Sequence, residues 1–222
     1  MKTLITGANR GLGLEFVRQC LERGETVVAG CRKPSEASEL QSLASERLTI
    51  EPLDVADEAS IHRWSDRVVG PVDRLINNAG IYGGEDQSIG HVSAKMAASV
   101  YRVNVIGPML LMQSLEATLA SDAVVVNISS GYGSIANSGA GWPIMYCCSK
   151  AALNMLASIV GQSWPDRCVV AMSPGWVQTD MGGAGADLTP QQSIGNMLDV
   201  IDGLTREQSG SFLNHTGQPL PF

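Results

Sequence analysis

Short apolar, β-branched runs alternate with helix-length segments along the whole chain. Lys2–Thr6, Glu25–Gly30, Leu48–Glu51, Arg74–Asn77, Ala123–Ile128 and Cys168–Met172 have the length and near-continuous apolar character of strands buried on both faces, with Ser211–Asn214 a weaker seventh. Between them, Leu12–Arg23, Glu58–Val69, Val103–Leu119, Met145–Gly161 and Pro190–Leu204 read as helices. This βαβα order predicts an α/β fold of about seven strands: a doubly wound parallel sheet of the Rossmann type, covered by helices on both faces in three layers. No repeat, low-complexity tract or linker breaks the order, so residues 1–222 are expected to form a single domain, long enough to bury a sizeable core. The Gly- and Ala-rich stretch Gly182–Ala186 is expected to be a mobile loop.

Two of the helices are apolar over a wide arc. Val103–Leu119 carries Val105, Ile106, Met109, Leu110, Met112 and Leu115, and Met145–Gly161 carries Leu153, Met155, Leu156, Ile159 and Val160. A surface helix needs one apolar stripe, so both are expected to be covered by more than the sheet, most simply in a homodimer or homotetramer.

Charge and composition narrow the function. A net charge of −7, with 15 scattered basic residues, argues against a nucleic-acid or anionic-membrane partner. No unbroken apolar run approaches the roughly 18 residues of a membrane span, and the first residues show no charged-then-apolar leader, so a cytoplasmic setting is expected. Five cysteines without a C-x-x-C and three distant histidines predict neither a disulfide framework nor a metal site.

The first predicted strand runs into Thr6-Gly7-Ala8-Asn9-Arg10-Gly11-Leu12-Gly13, which opens a helix. Its spacing is G-x-x-x-G-x-G, but the physics is that of any dinucleotide loop. Glycines permit a tight turn and close approach to a pyrophosphate, and the helix N-terminus supplies N–H donors. An unliganded strand-to-helix turn is the alternative. An NAD site calls for a carboxylate after the second strand, whereas Cys31-Arg32-Lys33 stands there. Arg32, with Arg10 from the glycine loop, suits a 2′-phosphate and therefore NADP(H), unless Arg32 and Lys33 are only a solvated turn.

Taken in order, Thr6–Gly13, Leu53-Asp54-Val55, Asn77-Asn78-Ala79-Gly80, Asn104, Asn127-Ile128-Ser129-Ser130, Tyr146-Cys147-Cys148-Ser149-Lys150 and Pro174-Gly175-Trp176-Val177-Gln178-Thr179 resemble the short-chain dehydrogenase/reductase family over nearly the whole chain. Ser173–Gly183 and the tail from Ser209 to Gly217 look like its branch containing the C-factor signalling protein and the sniffer-type carbonyl reductases. The resemblance implies an oxidoreductase with Asn104, Ser130, Tyr146 and Lys150 as catalytic tetrad. It implies a cofactor site formed by Gly7, Asn9, Arg10, Gly11, Leu12, Gly13, Arg32, Asp54, Val55, Asn78, Ala79, Gly80, Tyr146, Lys150, Pro174, Gly175, Val177 and Thr179. In it Asp54 would bind adenine, Asn78 brace the sheet, and Thr179 hold the carboxamide. Ser130 and Tyr146 are 16 apart, a few more than the family usually has, which leaves Ser129 and, more distantly, Ser134 as alternatives to Ser130. The family's monomeric carbonyl reductases carry a long insertion before the tyrosine, which this chain lacks, so the resemblance also favours an oligomer.

Tyr146 and Lys150 are four apart on a helix and share a face. An ammonium about 6 Å from a phenol contributes roughly 3 kcal/mol at an effective dielectric of about 20, which would bring the phenol from about 10 toward about 8. A helical Y-x-x-x-K alone is usually a surface pair; the glycine loop upstream favours a catalytic one. Cys147 and Cys148 are expected to be small buried residues. Trp142, Trp176, Tyr82 and Met181 are candidates to line a pocket for a small apolar ketone, aldehyde or alcohol. A nucleotide-binding signalling protein, with cofactor occupancy as its output, is the second function class.

Overall fold

A computed structural model describes residues 1–222. Seven strands form one parallel sheet: β1 (Lys2–Thr6), β2 (Thr26–Cys31), β3 (Leu48–Pro52), β4 (Val72–Asn77), β5 (Leu119–Ile128), β6 (Cys168–Ser173) and β7 (Phe212–Asn214). Their order across the sheet is β3-β2-β1-β4-β5-β6-β7, so the winding reverses beside β1, between β2 and β4. Ligand crevices of open α/β sheets lie at the carboxyl ends of strands at such a reversal. The glycine loop leaves β1 there, Asn78–Gly80 leave β4, and Ser129–Ser130 leave β5.

Helices cover both faces. On one side α1 (Gly11–Glu22) and α7 (Pro190–Asp202) bury Phe16, Val17, Ile194, Met197 and Leu198 against Ile5, Ile76 and Val126. On the other, α3 (Glu58–Ser65), α5 (Gly107–Leu115) and α6 (Ile144–Ser163) bury Trp64, Leu111, Leu115 and Ala157 against Leu4, Leu75 and Val125. A short α2 (Ser38–Gln41) adds Leu40 to the first side.

The helix expected over Val103–Leu119 differs most. Helical structure starts earlier, with α4 (Ala94–Tyr101), widens into a π turn at Arg102–Ile106, and continues as α5 to Leu115; Leu119 already opens β5. α4 escapes the hydrophobic pattern because it buries only Val100. The π turn has its own cause at the site, described below. The helix expected to reach Val69 ends at Ser65. Gly182–Ala186, expected to be a mobile loop, carries two side-chain bonds: Trp176 Nε1 donates to Gly182 O at 2.8 Å and Gln178 Nε2 to Ala186 O at 2.9 Å.

α6 also qualifies the reading of the chain's apolar runs. No run in it is unbroken, yet by length and composition it is long and apolar enough to cross a membrane, with mean hydropathy 1.4 over its best window. In the fold it lies beside β5 and β6, with Ser149, Lys150 and Asn154 buried along its inner face. Its outer face leaves Met155 and Ile159 exposed, as are Ile106 at the end of the π turn and Met109 of α5.

At the amino ends of the strands, away from the crevice, the sheet buries an ion pair. Arg74 of β4 meets Glu25 at 3.2 Å, both side chains 3% exposed, and reaches Asp202 of α7 at 2.5 Å. Thr3 of β1 donates to the second Glu25 oxygen at 2.5 Å, so two strands and one helix share the same charges. Leaving one member of a buried pair alone costs about 3–5 kcal/mol, whereas replacing both is far cheaper. Arg74→Met should therefore lower the urea midpoint strongly, and Glu25→Met added to it should restore at least half the loss. A double variant as unstable as Arg74→Met alone contradicts this account.

Candidate active site

The glycine loop is shaped by contact between the ends of β1 and β4. Gly7 has φ +66°, and a Cβ on it would lie 2.9 Å from Ala79 Cα; one on Gly13 would lie 2.2 Å from Gly7 O. Neither position has room for a side chain. Thr6 Oγ1 accepts from the N–H groups of Asn78 and Ala79, both at 3.0 Å, and Asn78 Nδ2 donates to Thr6 O at 2.9 Å and Gly7 O at 3.2 Å. These bonds lace the two loops together. No side chain caps α1, so its first N–H groups face the crevice without a side-chain acceptor. Leu12 is half-buried behind this turn and Asn9 is exposed at its tip. A turn with glycine at positions 7, 11 and 13, ending in uncapped donors, fits a pyrophosphate.

Around the cradle, Arg32 is exposed after β2 and has no partner in the chain, while Lys33 is engaged by Glu36 at 2.9 Å. Arg10 is exposed too and pairs with Asp180 at 2.6 Å, across from the loop after β6. Asp54 is half-buried; one oxygen accepts from Ala56 N at 2.9 Å and the other is free. Val55 is buried with its carbonyl against α5, where a Cβ on Gly107 would stand 2.6 Å away. After β6, Ser193 of α7 donates to Pro174 O at 2.6 Å, Gly175 turns the chain with φ +81°, and Val177 bridges to Leu188. Thr179 then faces Gly11, its methyl 3.7 Å from where a Cβ on Gly11 would sit. The proposed cofactor residues thus lie on the loops that leave β1, β2, β3, β4 and β6 and on α1 and α6, with Arg10 paired to Asp180.

The four catalytic candidates converge beside it. Tyr146 and Lys150 are both buried, with Lys150 Nζ 5.6 Å from the Tyr146 ring centre. Lys150 Nζ donates to Ile128 O at the end of β5, at 2.7 Å. Among the three candidate serines, only Ser130 lies close enough to the Tyr146 phenol to pull its titration down, while its Oγ also accepts from Tyr132 N at 3.2 Å. Ser129 instead donates to Asn154 Oδ1 at 2.6 Å, and Ser134 accepts from Asn137 N at 3.2 Å. Asn104 sits in the π turn, its Oδ1 accepting from Ile81 N at 2.8 Å and its Nδ2 donating to Ile81 O at 2.9 Å and Ser149 Oγ at 3.0 Å. These three bonds give the widened turn a purpose: they hold the β4 loop against α6. A Cβ on Gly80 would lie 3.5 Å from Asn104 Oδ1 and 3.6 Å from Lys150 Nζ, so that glycine leaves open the gap between them.

The titration of the pair reverses the expectation from spacing. Burial pushes the Tyr146 phenol up to about 12, with the Ser130 hydrogen bond pulling the other way. Burial likewise pushes Lys150 down to about 8. Removing both groups from water outweighs the attraction of one ammonium. Cys147 and Cys148 also differ from expectation. Cys148 is exposed on the outer face of α6, and Cys147 is half-buried with its thiol pushed up to about 11.

Several contributors carry no signal in the sequence. Ser149 relays Asn104 to the Tyr146 carbonyl, donating to it at 2.8 Å. Gln87, from a loop 59 residues away, is buried with its Oε1 accepting from Tyr146 N at 2.9 Å. Tyr132 joins the aromatic surround: its ring is 6.3 Å from Tyr146 and 4.7 Å from Trp142, while Tyr82 lies 5.0 Å from Tyr146. Trp176 and Met181 are exposed on the loop after β6.

Comparison with known proteins identifies the family. The short chain dehydrogenase family model matches residues 2–187. The C-signal of Myxococcus xanthus is 40% identical over 157 residues, covering 69% of this chain and 94% of that protein. The NADPH-bound carbonyl reductase from chicken fatty liver superposes with a TM-score of 0.92 at 39% identity, covering 100% of this chain and 98% of that one. The carbonyl reductase Sniffer of D. melanogaster gives 0.94 at 29% identity, covering 100% and 99%.

The depressed Lys150 has a consequence for stability. Between about 8 and its ordinary 10.5 the unfolded chain holds more of this proton than the folded one, so folding gains as pH rises. Measured by urea unfolding against Lys150→Met, wild-type stability should climb relative to the variant across that window and run parallel to it below pH 8. A difference that stays constant or moves the other way contradicts burial as the cause.

Proposed function

The chain belongs to the short-chain dehydrogenase family, and on that premise we propose that it is an NADP(H)-dependent oxidoreductase acting on a carbonyl or secondary alcohol, with Tyr146 as general acid and base. The observation that carries this is a buried phenol near Ser130, with Lys150 Nζ 5.6 Å from its ring centre, beside a glycine turn that fits a pyrophosphate. The NADPH of the chicken fatty liver structure supports the choice of nucleotide. Gly7, Asn9, Gly11, Leu12 and Gly13 would hold the pyrophosphate, Asp54 and Val55 the adenine, and Arg32 the 2′-phosphate. Asn78, Ala79, Gly80, Pro174, Gly175, Val177 and Thr179 would enclose the nicotinamide end. Bound there, the cofactor supplies a hydride for a carbonyl carbon.

The chain's own residues manage the proton. Ser130 donates a hydrogen bond to the carbonyl oxygen, and Tyr146 protonates that oxygen as negative charge develops on it. A phenol raised to about 12 stays protonated across neutral pH, ready for the reductive direction. Lys150, fixed by Ile128 O, places an ammonium where the resulting phenolate forms and also reaches toward the ribose. Asn104 uses both its N–H donors on Ile81 and Ser149, so only an Oδ1 lone pair is left for a water on the way to Lys150. Tyr82, Tyr132, Trp142, Trp176 and Met181 carry no formal charge, which favours apolar ketones and aldehydes over acids.

NADPH should bind at least about tenfold more tightly than NADH, only about 1.4 kcal/mol and modest for charge-assisted contacts. Arg32→Asp should invert that preference; equal dissociation constants in wild type would contradict the nucleotide assignment.

Tyr146→Phe should lower carbonyl reduction at least about a hundredfold while leaving NADPH binding nearly unchanged. The likeness to C-signal supports a second reading in which occupancy is the output. The same variant separates the two: near-full reductase activity contradicts the catalytic assignment, and a biological effect that survives in it favours occupancy.

The exposed Ile106, Met109, Met155 and Ile159 lie on the helices expected to self-associate, and on them we base a homodimer or homotetramer. Light scattering should give two or four times 23.5 kDa, and a mass of one chain would reject it.

A further inference from the structure

We propose that Gln87 is a positioning residue for Tyr146: its side-chain amide fastens the first turn of α6 to the Tyr82–Gly84 loop and so sets where the phenol stands. The inference rests on the reading of Tyr146 as proton donor given above.

A helix leaves its first N–H groups without internal acceptors. α6 begins after Pro143 with no side-chain cap, and Tyr146 is its third residue, so the Tyr146 N–H is one of those orphans. Gln87 Oε1 takes it at 2.9 Å, a cap supplied from 59 residues away. The Gln87 main-chain carbonyl also accepts from Ile144 N, at 3.4 Å, so the same residue holds the turn at two places.

The other half of the amide points to the opposite wall. Gln87 Nε2 donates to Tyr82 O at 2.8 Å and to Gly84 O at 3.0 Å. Gly83 and Gly84 have φ of +102° and +123° and no side chains of their own to anchor the loop. The Tyr82 ring, 5.0 Å from that of Tyr146 and tilted by 41°, therefore keeps its place through Gln87. Gln87 is 2% exposed with both donors and its acceptor engaged, and a buried amide in that condition is rigid because every displacement strands a polar group. Of the residues assigned to the cofactor it hydrogen-bonds only Tyr146, through the backbone.

Two variants test this, with kcat, the NADPH dissociation constant and the 13Cζ-tyrosine NMR signal of Tyr146 as readouts. Four tyrosines make the spectrum assignable by comparison with Tyr146→Phe. Gln87→Met removes all three side-chain bonds at similar length; Gln87→Glu keeps the acceptor for Tyr146 N–H. Misplacing a reacting group by a fraction of an ångström lowers turnover substantially, so Gln87→Met should reduce kcat more than about tenfold with NADPH binding within about twofold of wild type. Gln87→Glu should lie between the two. The proposal is overturned if Gln87→Met keeps kcat within about twofold of wild type, or if kcat and NADPH affinity fall together as in a general loss of structure. Should Gln87→Met fail to fold, Gln87→Glu decides: wild-type kcat in it overturns the proposal, and a reduced kcat with intact NADPH binding supports it. A wild-type protein with no carbonyl reduction would instead overturn the proposed function. The position of Gln87 would then be judged by the Tyr146 signal, which moves in the variants if the amide sets the phenol's place and stays put if it does not.

Discussion

A lysine carried wholly inside a protein must find an acceptor there, and Lys150 finds one because β5 ends at Ile128. Its Nζ lies 2.7 Å from that carbonyl and reaches no carboxylate. The position of one ammonium is thereby tied to the end of a strand in the middle of the sheet. Everything else at the crevice is arranged around it. Tyr146 is one helical turn before Lys150, so the same helix that brings the ammonium to Ile128 brings the phenol beside Ser130, two residues beyond the strand. Gly80 keeps the space between Lys150 and Asn104 free of side chains.

The helix itself is held from the outside. Asn104 reaches it through Ser149, Asn154 receives the Ser129 hydroxyl and donates to Gly133 O at 3.1 Å, and Gln87 caps its first turn. These are short polar side chains, each buried and bonded on more than one side. Burial without partners would be expensive for any of them, and with partners they allow few alternative arrangements. The π turn at Arg102–Ile106 belongs to the same set of constraints, since Asn104 sits at its centre and bonds in two directions at once. The buried charges at the opposite end of the sheet, Glu25 and Arg74, leave the crevice alone and serve to join strands and α7.

Much of this was legible in the chain. Strands buried on both faces announce themselves by apolar runs, and β1 falls on Lys2–Thr6 as read. The shared face of Tyr146 and Lys150 follows from helical spacing alone. What periodicity could not reveal were elements that bury little, such as α4 with its single Val100, and polar residues whose partners lie far away in sequence. Gln87 stands among Gly, Glu, Asp and Ser, where a glutamine looks solvated, yet it is buried with three bonds to backbone, one of them to Tyr146, 59 residues away. Spacing also supplies Coulomb energies but not desolvation, which is why the direction of the Tyr146 shift came out reversed. Ser129 and Ser130 look alike in the sequence, yet adjacent residues after a strand point to opposite sides, and Ser129 is turned onto Asn154.

The central claim is that this crevice moves a hydride onto a carbonyl carbon while Tyr146 supplies the proton. NADPH carrying deuterium at C4, prepared separately for each face and incubated with an apolar aldehyde, addresses it directly. The account predicts that one of the two labelled cofactors, and not the other, places deuterium on the carbinol carbon of the product as it is oxidised. A protein that binds NADPH but yields no labelled alcohol from either would contradict it.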